Sequence, residues 1–135
     1  HRYLLHNFSL RILSHSHFRV HHKNCRKNDG FDDDYITTLP RDYEHGWSEI
    51  LFLFSGIFLA IPMIAISFWL WFALLIHAVF YYVAHRYFHL YPTWGKKYMP
   101  WHWDHHMGKN QNANWGVTNP IFDWVFRTRV SGDGE

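Results

Sequence analysis

The sequence predicts an all-α integral-membrane protein: a transmembrane hairpin carrying a water-exposed, histidine-rich helical cap. Three observations carry that prediction. From Ile50 to Val83 the chain runs 34 residues without an Asp, Glu, Lys or Arg. Ten of its thirteen histidines fall into four tight clusters, two before that stretch and two after it. Aromatic residues make up 21% of the chain, with eight Trp and twelve Phe, and amphipathic rings concentrate at membrane interfaces. Trp47, Trp69, Trp71, Trp94, Trp101 and Trp103 all flank or lie in the apolar part.

At 135 residues the chain reads as a single domain. Residues 1–24 mix histidine, arginine and apolar side chains without Gly or Pro and read as the first histidine helices. Residues 25–48 carry Asn28-Asp29-Gly30, the acidic run Asp32–Asp34, Pro40 and Gly46. They read as an exposed polar loop, with the acidic run as a solvated face. Residues 49–84 form the hairpin. One helix of 34 residues would be roughly 51 Å long, against about 30 Å of bilayer hydrocarbon. Split near Pro62–Ser67, the stretch makes two short crossings, roughly Ile50–Ile64 and Ser67–Ala84. An even number of crossings is required, because His21/His22 and His85/His89 must reach the same membrane face to share a site. Residues 85–128 form a second histidine-rich cap, interrupted by Pro92, Gly95 and Pro100, with an ordered loop and a short helix at its end. Residues 129–135 read as a frayed tail.

The clusters are His1/His6, His17/His21/His22, His85/His89 and His102/His105/His106, with spacings HxxxxH, HxxxHH, HxxxH and HxxHH. Neutral imidazole is the commonest nitrogen ligand for zinc, iron and copper. A mononuclear site takes three or four protein ligands, so ten suit two octahedral ions sharing a bridging water. On an α-helix, residues i and i+4 share a face, which pairs His85 with His89 and His17 with His21. His102, His105 and His106 fan about one direction. An adjacent HH pair splays its rings by about 100°, which suits two ions better than one. His1/His6 is the weakest pair, since i and i+5 diverge on an α-helix. His15 and His45 lack partners and read as solvent-exposed. His77 lies inside the apolar stretch, where ionisable groups are costly, and reads as a pocket or supporting residue.

The composition also excludes. The single cysteine, Cys25, rules out an internal disulfide and a thiolate cage, and reads as a bystander, with a place near the metals as the alternative. A net charge of +2, with no basic run interleaved with aromatics, gives no nucleic-acid signature. Nothing resembles a signal peptide. The chain opens on a histidine of the first cluster, so a preceding segment is expected. A metal transporter would need polar ligands within the spans, where only His77 lies. A ligand-rich, all-nitrogen, two-metal site beside a membrane suits iron that cycles redox states and activates O2. The chemistry expected is attack on an unactivated C–H bond of a lipid.

The order of the four motifs, with the hairpin between the second and third, resembles the fatty acid hydroxylase/sterol desaturase superfamily of membrane di-iron oxygenases. Pro100-Trp101-His102-Trp103-Asp104-His105-His106, then Asn114-Trp115-Gly116-Val117-Thr118 and Phe122-Asp123-Trp124-Val125-Phe126, are similar to that family's C-terminal signature. The second motif departs from it, being HxxxHH where many members have HxxHH. The resemblance implies that His1, His6, His17, His21, His22, His85, His89, His102, His105 and His106 ligate two iron ions. It implies O2 as co-substrate and electrons from a cytochrome b5 or ferredoxin-type donor. The expected product is a hydroxylated fatty acyl, sphingoid or sterol-like lipid, with a desaturase as the alternative. The cap is expected on the cytoplasmic side, of the endoplasmic reticulum in a eukaryote or the inner membrane in a bacterium. Asp104 and Asn114 are the candidates for supporting the ligand rings, since a metal-bound His donates its other N–H to a carboxylate or carbonyl. Asp123 is a candidate helix cap, and Gly116 a tight turn.

Overall fold

A computed structural model describes residues 2–3, 5–7, 9, 14–37, 39, 41–42 and 46–132. His1 and His45 lie outside the described residues. Everything regular within them is helical. A π-helical turn, His15–His21, runs directly into α1, His22–Lys27. A short 3-10 turn at Asp33–Tyr35 follows. Then come α2, Ser48–Leu59, and a second 3-10 turn, Ile61–Ala65. The remaining helices are α3, Phe68–Leu90; α4, Pro92–Tyr98; α5, Pro100–Met107; and α6, Ile121–Val125.

The break in the apolar stretch falls where the sequence places it. Pro62 sits in the first turn of the Ile61–Ala65 segment, and proline removes an N–H that an α-helix needs. Ser67 is fully extended (φ −162°, ψ 118°), which separates the two helices. The segments Ser48–Ala65 and Phe68–Leu90 are each long and apolar enough to cross a membrane, and almost none of their length is buried within the protein. Glu49, in the first turn of α2, bonds His85 near the end of α3. Trp71, near the start of α3, donates its indole N–H to the carbonyl of Ile57, near the end of α2. The second apolar helix is longer than the sequence suggests. It continues past Ala84 through His89, so the third histidine pair rides on the last turns of α3 rather than on a separate cap helix.

The core is small and lies at the end of α3. Phe88, Met99 and Val117 are buried together, with Tyr81, Trp101 and Trp103 packed around them. The remaining buried positions are mostly polar, and nine of them are histidines. The 25–48 segment is not a uniformly solvated loop. Asp32 and Tyr35 are buried, and Gly30 turns the chain with φ +87° while the Trp103 ring closes the space a Cβ would occupy. Only glycine adopts that conformation at little cost. The acidic run is likewise divided, with Asp32 facing inward and Asp33 exposed.

Candidate metal centre

Among the described residues, nine of the ten clustered histidines meet where the π turn, α1, α3 and α5 converge, all of them buried. They sort into two adjacent groups. His6, His17, His22 and His105 each bring a ligand atom within 4.8 Å of the others. His85, His89, His102 and His106 do the same in the second group. His21 faces the second group, its ring centre 4.5 Å from that of His89 and 4.9 Å from that of His106. The groups abut through His22 and His106, whose ring centres are 4.1 Å apart.

Both adjacent pairs divide between the groups, as their splay predicts: His21 and His22 part company, and so do His105 and His106. The fan on α5 therefore splits, with His102 and His106 on one side and His105 on the other. The π turn changes the remaining pairing. Its hydrogen bonds close from i to i+5, and the His22 N–H bonds the His17 carbonyl. One such turn places i and i+5 on the same face. His17 accordingly pairs with His22, their Nε2 atoms 3.2 Å apart, and not with His21 as α-helical spacing predicts.

Supporting contacts fix the ring orientations. His85 Nδ1–H donates to Glu49 Oε1 at 2.6 Å, and Glu49 also accepts the Tyr35 hydroxyl at 2.7 Å. His21 Nδ1–H donates to Asp32 Oδ2 at 2.6 Å. His89 Nδ1–H donates to the Gly30 carbonyl at 2.9 Å, and His105 Nδ1–H to that of Ala113 at 2.7 Å. In His85 and His89 this turns Nε2 toward the centre, where the two atoms are 3.1 Å apart. With metal–nitrogen bonds of about 2.0–2.1 Å, neighbouring ligand atoms lie roughly 2.9–3.4 Å apart. The observed spacings match that edge. Cys25 is fully buried beside the second group, its Sγ 3.3 Å from His89 Nδ1 and 3.7 Å from His21 Nδ1. Cys25 thus stands beside the rings, where its thiol could join His21, His89 and His106 around a metal.

Charge and hydrogen bonding both suit a metal. Burial pushes the imidazolium forms of His6 and His105 down, to about 4 and about 3. Burial, reinforced by neighbouring imidazoles, holds His17, His22, His102 and His106 well below the ordinary histidine range. These rings are neutral at pH 7, the form that binds metal. His21 Nε2 and both ring nitrogens of His102 and His106 are buried with no hydrogen-bond partner among the described residues. Leaving such atoms unpaired costs about 1–3 kcal/mol each, and coordination satisfies them. The two groups can hold metal ions.

Asp104 and Asn114 bond elsewhere. Asp104 pairs with Arg129 at 2.9 Å. Asn114, in a left-handed conformation (φ 56°), binds the amide and carbonyl of Val130 and the Arg129 guanidinium. Together they fasten the segment after α6 onto α5 and the loop that follows α5. The carboxylates on the ligand rings are instead Asp32 and Glu49. Glu49 had a signal, as the last charged residue before the apolar stretch, at the same edge as His85. Asp32 had none, because only the turn at Gly30 brings it to His21. His77 lines an apolar groove two turns from His85 rather than touching the rings, and His15 is exposed. No protein-family model matches this chain, and no curated protein or solved structure matches it either.

Proposed function

We propose that the chain is a membrane di-iron oxidoreductase that hydroxylates a C–H bond of a lipid. The observation that carries this reading is the meeting of two buried all-histidine groups with the end of two apolar, membrane-length helices. In this reading Ser48–Ala65, which is α2 with the 3-10 turn after it, and α3 cross the bilayer as a hairpin, and the histidines sit at its polar end. Iron held by these rings supplies one-electron redox chemistry and the activation of O2.

The chain's own residues supply the rest. Glu49, Asp32 and the carbonyls of Gly30 and Ala113 hold Nδ1 protons and so aim four rings. A groove of about 290 Å³ between α2 and α3 is lined by Phe52, Gly56, Leu74, His77 and Tyr81, among others. Its upper end is Tyr81, whose ring centre lies 5.6 Å from that of His85. Open to the bilayer along its length, this groove fits an acyl chain and leads its carbons to the edge of the second histidine group. The reaction consumes O2, two electrons and two protons per C–H bond, and yields an alcohol and water. A cytochrome b5 or ferredoxin-type donor provides the electrons.

The test is expression of the whole protein in membranes, with metal analysis and mass spectrometry of lipids under O2 and reductant. Two irons per chain and a lipid gaining one oxygen atom are expected. Gly56 has open space where a Cβ would stand, so Gly56→Phe should fill the groove and suppress product with iron content unchanged. A chain that binds no iron, or one whose loaded form leaves every lipid untouched, overturns the reading.

A further inference from the structure

The segment after the site inverts the patterning of a water-facing surface. Ile121, Phe122, Trp124, Val125 and Phe126 are five large apolar side chains in six positions, each between 62% and 69% exposed. The sixth, Asp123, is the only acid among them and is 1% exposed. Its carboxylate accepts the amides of Trp115 and Gly116 and the hydroxyl of Thr128, each at 2.7 Å. The polar group points in and the apolar groups point out. Phe122 and Phe126 stack outward, ring centres 6.2 Å apart. An apolar patch of this kind marks an interaction surface.

The position of the patch identifies what covers it. Asp123 ties α6 to Gly116, and the next residue, Val117, is buried in the same cluster as Phe88 of α3, with Tyr81 packed against it. Through this link the segment that carries the patch is tied to the buried cluster at the end of α3. Arg127, exposed and immediately beyond Phe126, adds a cation suited to lipid phosphate. Trp and Phe beside a basic residue are the composition of segments that lie in the headgroup region with their apolar side chains in the acyl boundary.

We infer that α6 with Phe126 is a membrane-interface anchor, seating the histidine cap on the bilayer through Ile121, Phe122, Trp124, Val125 and Phe126. This rests on the membrane-spanning reading of α2 and α3. It adds a third attachment, at the surface rather than through it, and fixes the height of the cap above the lipid.

Nitroxide labels at Phe122→Cys and, separately, Phe126→Cys test it in lipid nanodiscs holding one chain each. Both positions are exposed, so the labels disturb little packing, and the unsubstituted protein reports any labelling of the buried Cys25. Phe58→Cys in α2 serves as the membrane reference and Lys109→Cys as the aqueous one. The expected result is broadening of the 122 and 126 labels by O2, with loss of broadening by a water-soluble nickel chelate, as at position 58. Nickel broadening at 122 and 126 with position 58 still protected overturns the anchor alone. Protection from both reagents also overturns it, because protein rather than lipid then covers the patch. Nickel broadening at position 58 overturns the membrane reading and the anchor with it.

Discussion

His106 and Glu49 show how differently two buried polar residues serve one site. His106 belongs to the second group, and both of its ring nitrogens lack a hydrogen-bond partner among the described residues. Glu49 stands behind His85 and holds its Nδ1 proton. His106→Ala should therefore empty the second group while leaving metal in the first, halving metal per chain and abolishing lipid oxidation. Glu49→Gln keeps the shape and removes the charge that orients His85. Losses of this supporting kind cost about 10–100-fold in metal affinity or activity. A metal titration separates the two: a lost binding step for His106→Ala, a right-shifted one for Glu49→Gln. Full metal occupancy at unchanged affinity in either variant would remove that residue from the centre.

The π turn is the element whose geometry matters most. An HxxxHH spacing in an α-helix sends His17 and His22 apart, whereas one i→i+5 turn brings them together. A single extra residue is thus absorbed as a π turn, and the spacing becomes equivalent to HxxHH on an α-helix. Deleting the exposed Arg19 should convert the turn to α-helix, leave His17 facing His22, and leave metal content unchanged. Inserting one Ala after Arg19 should instead swing His17 away and lower occupancy of the first group. Metal analysis of the two variants decides it, and equal loss in both would show that the turn is not what sets the pairing.

Acid should loosen the whole molecule, because the lowered histidines outnumber His21, which acts in the opposite direction. Burial would lower His21, but the neighbouring Cys25 and Asp32 hold it well above the ordinary histidine range. In the metal-free protein His6 and His105 have folded-state values of about 4 and about 3, against about 6.5 in an unfolded chain. Below pH 6.5 the unfolded chain takes up protons that the folded one refuses, so stability rises with pH across that window. The contribution is complete above about 6.5 and is lost as pH falls toward 4 and then 3. Asp32 acts in the same direction at lower pH. Burial would raise it, but the His21 ring and the Asp34 and Asn24 N–H groups hold it below the usual carboxylate range. Thermal unfolding of chelator-stripped protein should show Tm falling between pH 7.5 and 5, and added metal should raise Tm most at the higher pH. A Tm that rises on acidification would mean that the folded protein holds these rings charged.

The sequence by itself determined the elements and the ligand types. A charge-free run of 34 residues with a proline inside it yields two apolar helices, because both length and helix breaking are local properties. Clustered histidines on either side of that run fix a nitrogen-rich centre, and adjacent HH pairs must divide between two groups because successive residues on a helix diverge. Only the tertiary structure decided which histidines share a group, and which carboxylates and carbonyls hold their rings. His17 joins His22 through a π turn that spacing alone does not reveal. Asp32 reaches His21 because a left-handed glycine folds an apparently solvated loop inward, and Gly30 delivers its carbonyl to His89 in the same turn. Asp104, inside the last cluster, and Asn114, eight residues after it, are drawn off by Arg129 and the backbone of Val130. Hydrogen-bond partners across 8 to 59 residues of chain are set by how helices pack, and packing is a property of the whole fold.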